Sequence, residues 1–351
     1  MEIYQIGFPV KSSNPNLRDS ASTKNNSSLT RKLIPGLLFG FLVFVILILL
    51  SDFRQVSAEV SEFPWQIIPL VLGLTLLNYL LRFIKWHYFL RQVGVHQLSV
   101  LESARIFFAG FPLAVTPGKA GETLKGVWIN QLTNLPTARG VSVVLAERVS
   151  DGLAMLVLST IGVIAYRRYW PAFAIVLALL LGVVIISQIR PLAKYLLDFG
   201  VRLPVINRFA LAINEFYEGS FTLFRPWTTF ISVSLGTVSW LAMGVGLYFI
   251  LIGLGVAPGV STLSIAIFVL SFSKVIGAIS ALPGGLLATD ASMIGMLVLL
   301  LGMDTNTAAA ATLLIRFATL WFGVGLGFVV WLFSRDLLSM QVKTRSSGQI
   351  H

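Results

Sequence analysis

Long apolar stretches separated by short polar segments run through most of the chain. Six of them are about 18 to 25 residues long, the length that crosses a bilayer as an α-helix. They lie at about 33–50, 65–84, 142–166, 171–189, 227–253 and 307–333. The pattern predicts six full membrane spans within one transmembrane domain over 33–333.

Two further apolar regions, about 98–135 and 261–302, are each broken by a Pro-Gly sequence. The breaks are Pro117-Gly118 and Pro283-Gly284-Gly285. Proline and glycine interrupt a helix at membrane depth only where the freed backbone groups are buried in protein or line a wet cavity. We therefore predict an all-α polytopic bundle of six spans and two broken re-entrant hairpins, with pairs of short spans as the alternative. Each break marks a predicted site.

Composition supports an integral membrane protein, because 56% of the residues are hydrophobic and only 12% are charged. The net charge of +11 does not indicate nucleic-acid binding. Most cations lie between the apolar stretches, where they orient the chain and meet anionic headgroups. The chain has no cysteine, and His87, His96 and His351 lack the spacing of metal ligands. We expect neither a metal nor a cofactor.

The distribution of Lys and Arg predicts the orientation of the chain. Segment 1–32 contains five cations, whereas the loop after the first predicted span carries three acids and Arg54. Lys85 and Arg91 follow the second span as cytoplasmic loop charges. We predict an inner-membrane protein with cytoplasmic tails at 1–32, which is disordered, and 334–351. The amphipathic segment of about 190–225 is predicted to lie along the cytoplasmic leaflet, with a soluble helix pair as the alternative.

The two halves of the chain share landmarks at nearly constant spacing. Gly94 and Gly255 are 161 positions apart, the two Pro-Gly pairs 166, and Arg148 and Arg316 168. The predicted orientation makes the two broken regions enter from opposite faces. These features predict an inverted repeat with halves at about 65–166 and 227–333. The alternative is that Gly and Pro are simply common in membrane helices.

Charged side chains within spans cost about 2.5 to 3.5 kcal/mol each on insertion scales, so they usually face a partner or a cavity. Arg148 and Asp151 are three residues apart and share a helical face, while Glu147 lies about 100° round the helix. One interpretation is a lipid-phosphate site in which Asp151 holds Arg148 as the forked donor. The other is a structural ion pair near the membrane edge.

Lys119, Glu122 and Lys125 follow the first break at helical spacing. If Pro117 begins a half-helix, its free N–H groups and positive dipole end suit an anionic headgroup. The alternative is an interfacial turn with solvated charges.

The second half contains Lys274 before its break and Asp290 after it. Arg316 lies in the middle of the last span, too far from either end for its side chain to reach the interface easily. We predict that Arg316 pairs with Asp290 or faces a wet cavity.

Taken together, these residues resemble a known family. They comprise 116–122 with Lys125, 147–151, 282–285 and Arg316. The sequence around them is similar to the flippase-like transmembrane region of bacterial lysylphosphatidylglycerol synthases and their stand-alone relatives, over about 33–333. Members usually have a glutamate after the second Pro-Gly-Gly, where Asp290 is the nearest acid here.

This resemblance implies a protein that moves, or helps to move, a polar-headed lipid between leaflets. In the synthases a separate soluble domain transfers the aminoacyl group. Only about 18 residues follow Phe333 here, so we expect no synthase reaction and no enzyme.

The leading hypothesis is binding and translocation of a polar-headed, anionic lipid. The predicted headgroup site comprises Lys119, Glu122, Lys125, Glu147, Arg148, Asp151, Lys274, Asp290 and Arg316. A membrane-embedded transferase for a lipid-linked substrate and a non-catalytic subunit of a lipid-modifying system are the alternatives. The expected partner is a membrane lipid and not nucleic acid. A lipid-modifying enzyme and a second copy of the chain stay open as partners.

Overall fold

A computed structural model describes residues 59–116, 121–165, 170–191, 210–280 and 282–334. Its helices are α1 (Ile67–Gln92), α2 (Val100–Ala109), α3 (Leu124–Thr133), α4 (Thr137–Ala165), α5 (Trp170–Gln188), α6 (Ala210–Leu223), α7 (Pro226–Gly253), α8 (Val260–Ile279), α9 (Ala288–Leu301), α10 (Thr305–Arg316) and α11 (Phe322–Phe333). A π-helical turn, Phe317–Trp321, joins α10 to α11 as one helix. Short 3-10 turns, Pro112–Val115 and Pro283–Gly285, accompany the two breaks. The predicted first span, the predicted tail at 1–32 and residues 335–351 of the other predicted tail lie outside the described residues.

The predicted all-α, polytopic architecture is confirmed. Among the described residues, α1, α7, α8 and the continuous helix Thr305–Phe333 are long and apolar enough to cross a membrane. Their outer faces carry exposed apolar side chains, which suit contact with lipid rather than water. Examples are Leu76, Leu80, Phe230, Val238 and Leu332.

The two broken regions differ in length. The first contains helices α2 and α3, of 10 residues each. The second contains α8 with 20 residues and α9 with 14. At about 1.5 Å per residue, α8 alone is long enough to span the hydrocarbon core. The prediction that the two regions are re-entrant hairpins stays a prediction, as does the alternative of pairs of short spans.

The core forms where α1 packs along α7, and where α4 packs against α7 and α8. Residues of both halves contribute to the apolar interior, including Val71, Leu156, Leu247, Phe268 and Leu314. Short α3 lies against α4 through Gly126 and Gly140. A Cβ added at Gly140 would lie only 2.8 Å from Cα of Gly126, so larger residues would push the helices apart. This close approach brings the charges of α3 to those of α4.

Both halves follow the same succession of elements. A glycine with positive φ lies two residues beyond the last residue of α1 and of α7, with φ of +91° at Gly94 and +86° at Gly255. The next valine then donates its N–H to the residue five positions earlier, over 2.9 Å at Val95 and 3.0 Å at Val256. A broken region and a 29-residue helix follow in each half. The predicted repeat has this structural support, while its inverted orientation stays a prediction.

The described part of the predicted amphipathic segment is α6, which packs against α4. Tyr217, Gly219 and Ser220 are buried there, and Arg139 Nη2 of α4 lies 2.6 Å from Glu215 Oε2. This part of the segment therefore covers protein. Its position at the cytoplasmic leaflet stays a prediction.

Candidate functional site

The first break is closed by a threonine side chain. The hydroxyl of Thr116 donates to the carbonyl of Leu113 over 2.6 Å and accepts the N–H of Gly121 over 2.8 Å. The predicted site residues Pro117, Gly118 and Lys119 fall between these anchors and lie outside the described residues. Regular helix begins only at Leu124. The expectation that Pro117 begins a half-helix falls outside the described residues, within which a 3-10 turn at 121–123 precedes α3.

Seven charged side chains from α1, α3, α4 and the turn before α3 converge beside this break. We call them the charge cluster: Arg82, Lys85, Glu122, Lys125, Glu147, Arg148 and Asp151. Lys85, Glu122, Lys125, Glu147 and Asp151 are almost completely buried. Four cations and three carboxylates leave the cluster with one net positive charge. The predicted alternative of a solvated interfacial turn is therefore wrong for Glu122 and Lys125.

Glu147 is at the centre of the charge cluster. Its Oε1 accepts from Arg82 Nη2 over 2.8 Å and lies 2.9 Å from Arg148 Nη2, while its Oε2 accepts from Lys125 Nζ over 3.3 Å. Three cations from three helices thus share one buried carboxylate. Such a network is favourable only while its charges remain matched.

Asp151 occupies a different part of the charge cluster from Arg148. Its Oδ1 pairs with the buried Lys85, and its Oδ2 lies 3.6 Å from Arg82 Nε. The predicted ion pair between Asp151 and Arg148 is replaced by pairs from Arg148 to Glu147 and Glu122. The physical reason is that α1 supplies two cations to Asp151, which the spacing within α4 could not reveal.

Lys125 is held by aromatic rings as well as by Glu147. Its Nζ lies 4.8 Å from the ring centroid of Trp86 and 5.2 Å from that of Phe107. Buried cation–π contacts of this kind are worth up to about 2 kcal/mol. Gly110 packs against the Lys125 stem, where a Cβ would collide with it. These contacts aim the ammonium group at Glu147.

Arg148 is the most exposed member of the charge cluster, with 27% of its side chain accessible. Its Nε lies 3.4 Å from Oε2 of Glu122, whose side chain is 3% exposed. Among the described residues, neither of these two atoms has a hydrogen-bond partner. The Glu122–Arg148 pair is thus an ion pair without a hydrogen bond between these two atoms, and part of the Arg148 side chain stays accessible.

At the second break, every guanidinium nitrogen of Arg316 has a partner. Arg316 Nε pairs with Oδ1 of Asp290, and its other nitrogens donate to the carbonyls of Gly284 over 3.4 Å and Gly285 over 3.2 Å. Asp290 and Arg316 are 1% and 4% exposed. The predicted pairing of Arg316 with Asp290 is confirmed. The sequence signal was an arginine too deep to reach the interface.

The backbone of the second break adopts unusual geometry that this pair supports. Gly284 and Gly285 have φ of +61° and +64°, which turns their carbonyls toward Arg316. Leu287 has φ of +63° and ψ of −59°, a strained conformation for a residue with a Cβ. Its N–H donates to Oδ2 of Asp290 over 3.1 Å. The 3-10 turns of the two breaks also contact each other.

Sequence reasoning missed Arg82 and placed Lys85 in a loop. Helix α1 continues to Gln92, and Lys85 is completely buried inside it. The apolar residues Trp86, Phe89 and Leu90 continue the helical pattern past position 84 and could have revealed this. Lys274 is half-buried within α8, and its role as a headgroup ligand stays a prediction.

Two comparisons with known proteins bear on this site. The family model of the lysylphosphatidylglycerol synthase TM region matches residues 37–327. A UPF0104 membrane protein from Methanothermobacter thermautotrophicus is 25% identical over 311 residues. That alignment covers 82% of this chain and 89% of the archaeal protein. The residues that the family model matches include both breaks, the charge cluster and the Asp290–Arg316 pair.

Proposed function

Since the chain belongs to the family of the lysylphosphatidylglycerol synthase TM region, we propose that it binds a polar-headed, anionic lipid and translocates it between leaflets. The protein is a multi-pass membrane protein of this family. Beyond family membership, we propose that the headgroup is anionic, that it binds at the charge cluster and that the lipid moves between leaflets. The membrane is the cell's inner membrane, with both termini in the cytoplasm, and the movement involves no enzymatic step by this chain.

One observation carries this proposal: the net positive, buried charge cluster with an accessible Arg148. A buried surplus of charge is costly unless an opposite charge compensates it. The phosphate of an anionic lipid supplies that charge, and its oxygens match the forked guanidinium donors. Arg148 contacts the phosphate, while Glu147 holds the guanidinium in place. Lys125 and Arg82 hold the Glu147 carboxylate in position.

The direct test is translocation in reconstituted vesicles. Purified protein is placed in vesicles that contain phosphatidylglycerol with a fluorescent acyl chain, and a membrane-impermeant quencher measures how fast inner-leaflet lipid reaches the outer leaflet. We expect Arg148→Gln to slow this movement about tenfold or more, since one charge-assisted contact to phosphate contributes about 1.5 to 3 kcal/mol. Arg148→Lys, which keeps the charge but not the fork, should give an intermediate rate.

The matched control is Glu218→Gln, which removes an acid from the ion pair with Arg190. Those side chains are 37% and 54% exposed and lie outside the charge cluster. The control should translocate lipid at the unaltered rate. An unaltered rate in Arg148→Gln as well, with the protein folded and monodisperse, would refute the assigned site. Equal rates in protein-containing and empty vesicles would refute translocation itself.

A further inference from the structure

The Glu122–Arg148 and Asp290–Arg316 pairs occupy corresponding positions in the two halves. Within each pair, the acid precedes the arginine by 26 residues. Glu122 and Asp290 are 168 positions apart, as are Arg148 and Arg316. The helices that carry the arginines, Thr137–Ala165 and Thr305–Phe333, differ by the same 168 positions at both ends. The same acid–arginine pair therefore occurs twice in the fold.

Helices α1 and α7 meet at corresponding residues. Asn78 Nδ2 donates to Oγ of Ser239 over 2.7 Å and to its carbonyl over 2.9 Å, and Ser239 Oγ donates back to the carbonyl of Asn78 over 3.3 Å. These residues are 161 positions apart, like Gly94 and Gly255. A reciprocal contact between equivalent residues is what an approximate two-fold axis produces where it passes through an interface. The halves are thus arranged about this contact.

The two acid–arginine pairs are in different states despite this correspondence. The side chain of Arg148 is 27% exposed and its Nε lies 3.4 Å from Glu122. By contrast, Arg316 is 4% exposed and bonds to both Asp290 and the break's backbone carbonyls. The first pair is open to a further anion, and the second pair is closed.

The helices that carry the arginines differ in the same places. Immediately after Arg316, Phe317–Trp321 forms a π-helical turn. The corresponding residues 149–153 lie in the regular α-helix of α4. Conversion between π and α geometry shifts one part of a helix relative to the other, and such turns are frequent at functional sites. The two corresponding helices therefore differ in conformation just after their arginines.

We propose that the two pairs open alternately, and that the lipid phosphate takes the place of the acid in whichever pair is open. This inference rests on the proposed function, of which it specifies the mechanism. In the state described here, the phosphate displaces Glu122 from Arg148 while Asp290 holds Arg316. In the opposite state, the phosphate contacts Arg316 while Glu122 closes on Arg148. Contact between the 3-10 turns of the two breaks couples the pairs.

Cysteine accessibility can measure both pairs, because the natural chain contains no cysteine. Ala114 and Ser280 precede the two breaks by equal distances, are 166 positions apart and are each half-buried. Ala114→Cys and Ser280→Cys place a small thiol at each position in separate proteins. The rate of reaction with a membrane-impermeant maleimide, supplied outside or inside vesicles, reports how open each break is. We expect Ala114→Cys to react faster than Ser280→Cys.

Variants of the acids should shift these rates in opposite directions. Asp290→Asn weakens the closed pair while keeping an acceptor for the N–H of Leu287. It should raise the Ser280→Cys rate about threefold or more and lower the Ala114→Cys rate. Glu122→Gln should produce the reverse. The surface control Glu218→Gln should leave both rates near those of the parent proteins.

Reciprocal changes support alternation. Rates that rise together, or that stay constant in folded, monodisperse Asp290→Asn protein, overturn it. Lipid movement measured in the same vesicles separates this outcome from failure of the proposed function. Translocation with non-reciprocal labelling rejects only the alternation. Reciprocal labelling without translocation rejects the transport function and retains two alternating pairs.

Discussion

The two breaks surround equivalent arginines with very different environments. Arg148 lies beside a cluster of three carboxylates and three further cations, and part of its side chain is accessible. Arg316 has one carboxylate and two backbone carbonyls as partners, and is almost completely buried. The first environment has one positive charge to spare, whereas the second is neutral. The surroundings of an acid–arginine pair therefore decide whether its arginine keeps an accessible part or is fully paired.

Donor capacity explains this difference. All three guanidinium nitrogens of Arg316 have acceptors, two of them supplied by carbonyls that Gly284 and Gly285 turn inward. Arg148 instead shares Glu147 with Arg82 and Lys125, so much of that carboxylate is already used. Under the proposed function, a phosphate at Arg148 displaces only the 3.4 Å contact with Glu122, whereas at Arg316 it must displace the buried Asp290.

The largest effect should come from breaking the closed pair. Asp290→Ala leaves Arg316 buried without its carboxylate and removes the acceptor of the Leu287 N–H. We expect the free energy of unfolding to fall by about 3 to 5 kcal/mol. Glu122→Ala should cost less, because Arg148 keeps Glu147 and its accessible side reaches water. Unfolding of the purified proteins in the same detergent, followed by tryptophan fluorescence, measures both.

A double variant separates charge from packing at this pair. Asp290→Leu with Arg316→Met removes both charges and keeps apolar volume, so it should recover much of the stability lost in Asp290→Ala. Translocation should still be impaired if the second pair takes part in transport. Equal destabilisation by Asp290→Ala and Glu122→Ala would contradict the distinction between a closed and an open pair.

Two glycines give a test of intermediate size. Gly277→Ala places a methyl group against Oγ1 and Cβ of Thr289 and 3.3 Å from the carbonyl oxygen of Gly285. We expect it to lower stability by about 1 to 3 kcal/mol. Gly110→Ala meets the far end of the Lys125 side chain, including Nζ at 3.1 Å, so it should destabilise less and instead move the ammonium away from Glu147.

Thermal unfolding and the vesicle assay distinguish these two results. Gly277→Ala should show the larger loss of stability, and Gly110→Ala the larger loss of lipid movement relative to its stability. The reverse order would show that lipid movement does not depend on the contact between Lys125 and Glu147. Gly73→Ala, at a site where a Cβ meets nothing within 4 Å, is the matched control.

The smallest effect concerns the π-helical turn. The hydroxyl of Tyr79 donates to the carbonyl of Thr319 over 2.6 Å, within Phe317–Trp321. Tyr79→Phe should cost about 1 kcal/mol, the typical net value of one hydrogen bond. If the turn rearranges between states, Tyr79→Phe should also raise the Ser280→Cys labelling rate. Unchanged stability and unchanged labelling would show that the Tyr79–Thr319 hydrogen bond does not help to hold the second pair closed.

Parts of the site followed from sequence because they depend on local constraints. The pairing of Asp290 with Arg316 was predictable, since a deep arginine has few ways to compensate its charge. The partner of Arg148 was not predictable. Spacing shows which residues share a helical face, but it does not show which charges arrive from another helix. Lys85 and Arg82 reach Asp151 from α1, more than 60 positions away, and thereby leave Arg148 to Glu147 and Glu122.

By itself the sequence determined the membrane class, most helix positions, both breaks and the spacing that relates the halves. These follow from hydrophobic length, from backbone chemistry at Pro and Gly, and from residue order. Only the tertiary structure decided which charges meet and how exposed each arginine is. The physical reason is that the energy of a buried charge depends on every neighbour within a few ångströms, and helix packing selects those neighbours. The same acid–arginine spacing therefore yields an open pair in one half and a closed pair in the other.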